Sequence, residues 1–282
     1  MNDRFNGQIG GRVYEDNFGW KFAGLDESHP PSQIRDRPNF FCIDRAFNFR
    51  PYFVYGKKIA IVGNSIVEGC GDSIDSADEV IRINDMRNWK CDSYNDGIRT
   101  TVWAGLPVFA IGRIDADMTS WLESKFFKVA SNVHLLWSVS PFQCTVETWK
   151  NLVGLGLHHK LKTLPGYYEY LDLIYFAISP EMRKILYGND FMNGYTGMPN
   201  FELLFTGVKI CLACFLDGAK QIDLFGFDFF AAEAYWKHHD LHINLQVLLL
   251  IEAEMSAAGR SFNWNTKENV INRLAASHEQ SP

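Results

Sequence analysis

The chain has 282 residues, is 47% apolar and carries a net charge of −6. That length and apolar content suffice for one large core, or one core with an appendage. An acidic balance with no basic stripe excludes a nonspecific nucleic-acid binder. No run reaches the length of a membrane span, and the start, Met1-Asn-Asp-Arg-Phe-Asn-Gly, has no apolar segment of signal-peptide type. The six cysteines (Cys42, Cys70, Cys91, Cys144, Cys211, Cys214) have neither disulfide-scaffold nor zinc spacing, so a reduced cytoplasmic protein is expected.

Residues 1–56 are rich in aromatics and Arg without clean periodicity, and Pro-Pro-Ser breaks them at 30–32. They are expected to form an irregular extension packed on a domain spanning 57–282. From Lys57 the pattern alternates between strand and helix. Lys58-Ile-Ala-Ile-Val62 reads as a buried strand running into a Gly63-Asn64-Ser65 turn. Glu79–Asn84, Thr100–Trp103 and Val133–Trp137 read as further strands. Ser179-Pro180-Glu181 has the N-cap, N1 proline and first-turn acid of a helix start. Val208–Leu216 is apolar at helical spacing and ends at Asp217-Gly218; its Cys211-x-x-Cys214 pair reads as buried small hydrophobes. Gln221–Phe225 is a buried strand, Asn244–Ala258 a helix stopped by Gly259, and Ser261–Trp264 a last strand. The fold expected is α/β, a mostly parallel, Rossmann-like sheet with helices on both faces.

Three clusters carry chemistry. The first joins Gly63-Asn64-Ser65 to Arg82 and Asn84. Gly63 permits a tight turn and close approach to a ligand. If the first two strands are neighbours, Asn64 and Asn84 reach one crevice, where their amides can read a base, ribose or phosphate. A salt bridge on the strand is the competing reading for Arg82. The second cluster is Thr206-Gly207 with Gly218 and Gly226-Phe227-Asp228-Phe229. A Thr-Gly pair opening a helix offers N–H groups and a hydroxyl to an anion, and Asp228 is placed to accept sugar hydroxyls. Thr196-Gly197 competes for that role, and a helix running through Thr206 from about Pro199 would reduce the pair to small packing residues. The third cluster is His238-His239-Asp240-x-His242, readable as a general base, a zinc ligand set or a solvated loop.

Together these clusters resemble the sialyltransferases, the animal-type family and related bacterial enzymes. Lys58-Ile-Ala-Ile-Val-Gly-Asn-Ser, then Ile74-Asp75-Ser76, then Arg82-Ile83-Asn84 looks like the long nucleotide-binding motif. Thr206-Gly207, Gly218 and Gly226-Phe227-Asp228-Phe229 look like the short motif at bacterial spacing, and His239-Asp240 before a helix is similar to the segment carrying the catalytic histidine. The cysteines that link the two motifs in secretory-pathway members are missing here, which fits a bacterial-type cytoplasmic protein.

The resemblance implies a GT-A-like variant of the fold and an inverting glycosyltransferase. The enzyme would move sialic acid, or a related 2-keto acid sugar such as Kdo, from a CMP-sugar to a glycan or glycolipid acceptor. A glycolipid acceptor would allow peripheral membrane association. No cofactor and no metal is implied. His239 or His242 would be the base, and Tyr235 would bind phosphate. Gly63, Asn64, Ser65, Arg82, Asn84, Thr206, Gly207, Gly226, Phe227 and Asp228 would hold the donor. The alternatives are a Rossmann-type oxidoreductase or methyltransferase, opposed by the missing G-x-G-x-x-G, and a catalytically silent nucleotide-sugar-binding module.

Overall fold

The computed structural model describes residues 54–84, 86, 88–105, 132–138, 154, 156–157, 160–163, 178–187, 200, 203–229 and 240–272. Seven strands form one sheet: β1 (Lys58–Val62), β2 (Glu79–Ile83), β3 (Val102–Gly105), β4 (Leu135–Ser138), β5 (Leu161–Thr163), β6 (Gln221–Phe225) and β7 (Ser261–Trp264). Their order is β5-β4-β3-β2-β1-β6-β7, and every neighbouring pair is parallel. Among the described residues, the helices that accompany them include α1 (Gly71–Asp75), α2 (Pro180–Tyr187), α3 (Thr206–Leu216) and α4 (Leu241–Ala257). The expected parallel α/β sheet is present.

β1 is covered on both faces, which is why it reads as an unbroken apolar run. Ile59 and Ile61 belong to the core built with α2, α3 and α4. Ala60 and Val62 point the other way, into a smaller core with Val67, Ile74 of α1 and Val80. The chain builds outward from β1 in both directions, through β2 to β5 on one side and through β6 to β7 on the other. Right-handed crossovers in opposite directions place their helices on opposite faces, and α1 and α4 obey that rule.

Helix α3 is buried from Gly207 to Phe215, so it is a central helix with no clean polar side. Cys211 and Cys214 lie fully inside it, and burial raises both thiols above their ordinary range. Its end is closed by Gly218 at φ +85, a left-handed position that suits glycine. Val54, Tyr55 and Gly56 dock there. The Val54 N–H donates to Asp217 Oδ2 at 3.2 Å and the Gly56 N–H to the Gly218 carbonyl at 3.0 Å. The expected extension therefore touches the domain at its last three residues, and its residues 1–53 lie outside the described residues.

Helix α4 buries Asn244, Val247, Leu248, Ile251 and Met255, a stripe at helical spacing worth about 1.5–3 kcal/mol for each large apolar member. Gly259, at φ +68, follows its end as the sequence predicts. Among the described residues, no helix is long and apolar enough to cross a membrane.

Candidate functional site

Strand order reverses at β1, so the topological switch point lies between β1 and β6. In open α/β sheets ligands bind outside the carboxyl ends of the strands at that point. The two glycine-bearing turns of the sequence meet there. The Gly63 N–H donates to the Phe225 carbonyl at 2.8 Å and the Ser65 N–H to the Gly226 carbonyl at 3.3 Å. Ser65 Oγ donates to Asp228 Oδ1 across the gap.

Two of the glycines approach protein closely here. A Cβ on Gly63 would overlap the Gly226 carbonyl oxygen and press on the Phe227 ring, and a Cβ on Gly207 would enter that ring from the other side. Gly63 and Gly207 thus make room for Phe227, which is 6% exposed, and their close approach is to protein. Gly226, at φ +67, needs its left-handed backbone, and a Cβ there would crowd Ser65 and Val67. Its carbonyl receives Ser65. The loop beyond is clamped: Trp264 Nε1 donates to the Phe227 carbonyl at 3.0 Å, and Thr266 Oγ1 donates to the same carbonyl at 2.5 Å. Phe229 sits at φ +52, where a bulky residue is strained. Its ring is wedged between Phe205 and Trp264, with centroids 5.3 and 5.5 Å away.

Asn64 and Asn84 leave neighbouring strands at one height, because the register pairs Val62 with Arg82 two residues earlier. Asn88 Nδ2 holds the Asn64 backbone carbonyl at 2.6 Å. Asn84 is pinned by its N–H on the Ala104 carbonyl at 2.8 Å and by Trp103 Nε1 on its own carbonyl at 2.7 Å. Its φ is +51, a conformation asparagine tolerates better than most residues. The amide oxygens of Asn64 and Asn84 are both buried with no hydrogen-bond partner among the described residues. Buried polar atoms are ordinarily satisfied, so this pair is an unmet demand at the mouth of the crevice.

Arg82 does not join them. Its side chain is 1% exposed and turned into the 88–100 loop, where Nη2 donates to the Asp96 and Gly97 carbonyls at 2.8 and 3.1 Å. Nε reaches Thr100 Oγ1 at 2.9 Å, and the guanidinium stacks 4.4 Å over Trp89. Burial lowers its pKa to about 10 against the pull of Asp96 and Asp75. The arginine braces a loop from inside, a role neither expected reading contained.

Thr206 opens α3, with Phe205 extended before it, so no helix runs through from Pro199. Helices lead antiparallel into the next strand, which puts the amino ends of α3 and α4 at the same edge as the crevice. Asn244, wholly buried, joins the two. Its Oδ1 accepts from the Phe205 N–H at 2.7 Å, while Nδ2 donates to the Leu203 and Asp240 carbonyls at 2.9 and 2.6 Å. Its signal in the sequence is one polar side chain in register with an apolar stripe. Asp240 caps α4, accepting from the Ile243 N–H at 3.0 Å. His242 is exposed in the first turn. His239, Tyr235 and the competing Thr196-Gly197 lie outside the described residues.

No family model matches the chain, and no curated protein matches it. Solved structures resembling it include the sialyltransferase CstII from Campylobacter jejuni in complex with cytidine-5'-monophosphate. The likeness has 14% identity over 74% of this chain and 79% of that one, with a TM-score of 0.39. The monofunctional alpha-2,3-sialyltransferase Cst-I from Campylobacter jejuni is similar at 14% identity over 74% and 75%, with a TM-score of 0.44. These values are too low for a neighbour's activity to carry over to this chain.

Proposed function

We propose that the protein is an inverting, metal-independent glycosyltransferase that moves sialic acid, or a related 2-keto acid sugar such as Kdo, from a CMP-sugar to a glycan hydroxyl. One observation carries the reading. Two segments separated by 163 residues, Gly63-Asn64-Ser65 and Gly226-Phe227-Asp228, meet at the switch point through the Ser65–Asp228 bond, and two buried asparagine oxygens beside them lack partners among the described residues. These are the segments that resemble the long and short motifs of the sialyltransferases. The carboxamides and Asp228 suit a ligand edge carrying amino and hydroxyl donors, as a cytosine and a ribose do.

In this reading His239 or His242 takes the proton of the acceptor hydroxyl as its oxygen bonds to the anomeric carbon. The bond from that carbon to the phosphate oxygen breaks, and CMP leaves with the electron pair. Tyr235 and the amino end of α3 would meet the phosphate charge.

Thermal unfolding with CMP, NAD and S-adenosylmethionine, each with and without magnesium, tests the site. CMP at about 100 times its dissociation constant should stabilise the fold by about 2.7 kcal/mol without metal. A response to NAD or S-adenosylmethionine instead, or to CMP only with magnesium, overturns the proposal. Release of CMP from CMP-sialic acid separates the transferase from a silent binding module.

A further inference from the structure

We infer that Ser65 selects the hydroxylated sugar ring of the nucleotide and does not bind its phosphate. The inference rests on the nucleotide reading and deepens it. A serine hydroxyl has one proton and two lone pairs. The proton of Ser65 is committed, because Oγ donates to Asp228 Oδ1. Toward a ligand, Ser65 therefore offers lone pairs alone and must receive a hydrogen bond. A phosphate at neutral pH has acceptors and no proton to give. The vicinal hydroxyls of a pentose supply the donor this position requires.

The arrangement holds Ser65 firmly enough to discriminate. Its N–H is fixed to the Gly226 carbonyl, and the loop bearing Asp228 is clamped at the Phe227 carbonyl by Trp264 and Thr266. Both partners of the Ser65–Asp228 bond thus sit on braced backbone, and the polarity of the hydroxyl is set before the ligand arrives.

Binding of three ligands to the full chain tests this: CMP, cytidine without the phosphate, and 2',3'-dideoxycytidine monophosphate without the hydroxyls. In the parent, loss of the hydroxyls should weaken binding about five- to tenfold, the size of one or two net hydrogen bonds. In Ser65→Ala most of that difference should vanish, while the ratio between CMP and cytidine stays unchanged. Ser65→Thr, which keeps the hydroxyl, should restore the hydroxyl preference. If Ser65→Ala instead erases the advantage of CMP over cytidine, the serine binds phosphate and the inference is overturned. It is overturned too if both ratios survive, since the hydroxyl then only buttresses the loop. A parent that binds none of the three overturns the nucleotide reading itself, a result distinct from either.

Discussion

Phe227 is the residue on which the two halves of the site turn, since its ring fills the space left by Gly63 on one side and Gly207 on the other. Gly63→Ala drives a methyl group into the Gly226 carbonyl, and overpacking of this kind costs about 1–3 kcal/mol. The melting temperature should fall by about 2–4 °C for each kcal/mol in a domain of this size; a variant as stable as the parent would show that the turn has room. Asn84 permits a finer dissection, because its amide and its left-handed backbone can be removed separately. Asn84→Gly keeps the conformation and should weaken CMP binding by about 1–3 kcal/mol with little loss of stability. Asn84→Ala should lose the same affinity and, in addition, about 1 kcal/mol or more of stability. Isothermal titration beside chemical denaturation checks both, and equal binding by the parent and Asn84→Gly would take Asn84 out of the crevice.

At the scale of elements, Asn244 governs how two helix starts sit against each other. Removing its side chain breaks its hydrogen bonds with the Phe205 N–H and the Leu203 carbonyl, at about 0.5–1.5 kcal/mol for each bond. Asn244→Ala should therefore destabilise more than Asp240→Ala, which loses one helix cap worth about 1 kcal/mol. Urea unfolding ranks the two, and the reverse order would mean that the carboxamide is not the tie. The elements legible in the sequence were those with a strong local signal. β1 and β6 are short apolar runs ended by glycine, α3 and α4 are long and stopped by Gly218 and Gly259, and α2 opens with Ser179, whose Oγ accepts from the Met182 N–H at 3.2 Å. β5 has three residues, and α1 has five with no side-chain cap at Cys70; neither is long enough to show a period. β3 lies two residues beyond the expected Thr100–Trp103, because Ala104 and Gly105 pair with β4 while lacking any β signature. At the site, the turns were legible because strands end in them. The burial of Arg82 was not, since a loop 6 to 18 residues further on decides it through backbone carbonyls and the Thr100 hydroxyl, and no local pattern encodes those.

For the molecule as a whole, one edge of the sheet gathers the crevice, the amino ends of α3 and α4, and the exposed His242. A general base normally contributes about 10²–10⁴-fold to turnover, so in the transferase proposed above replacing the base by Ala should lower kcat by that factor while leaving CMP affinity nearly unchanged. His239→Ala and His242→Ala measured side by side assign the role, and full activity in both would take this segment out of the mechanism. The pairing of β1 with β6 has a further consequence, for synthesis of the chain. Ser65 and Asp228 are 163 residues apart, as are Val54 and Asp217. At ribosomal rates of about 5–20 residues per second, β1 emerges roughly 8–30 s before the strand that covers its second edge. Throughout that interval an apolar strand with unpaired N–H and C=O groups is open to any other extended chain. Recovery of folded protein should therefore be governed by how well that edge is guarded during translation, and variants on the exposed surface of the finished fold should leave it unchanged.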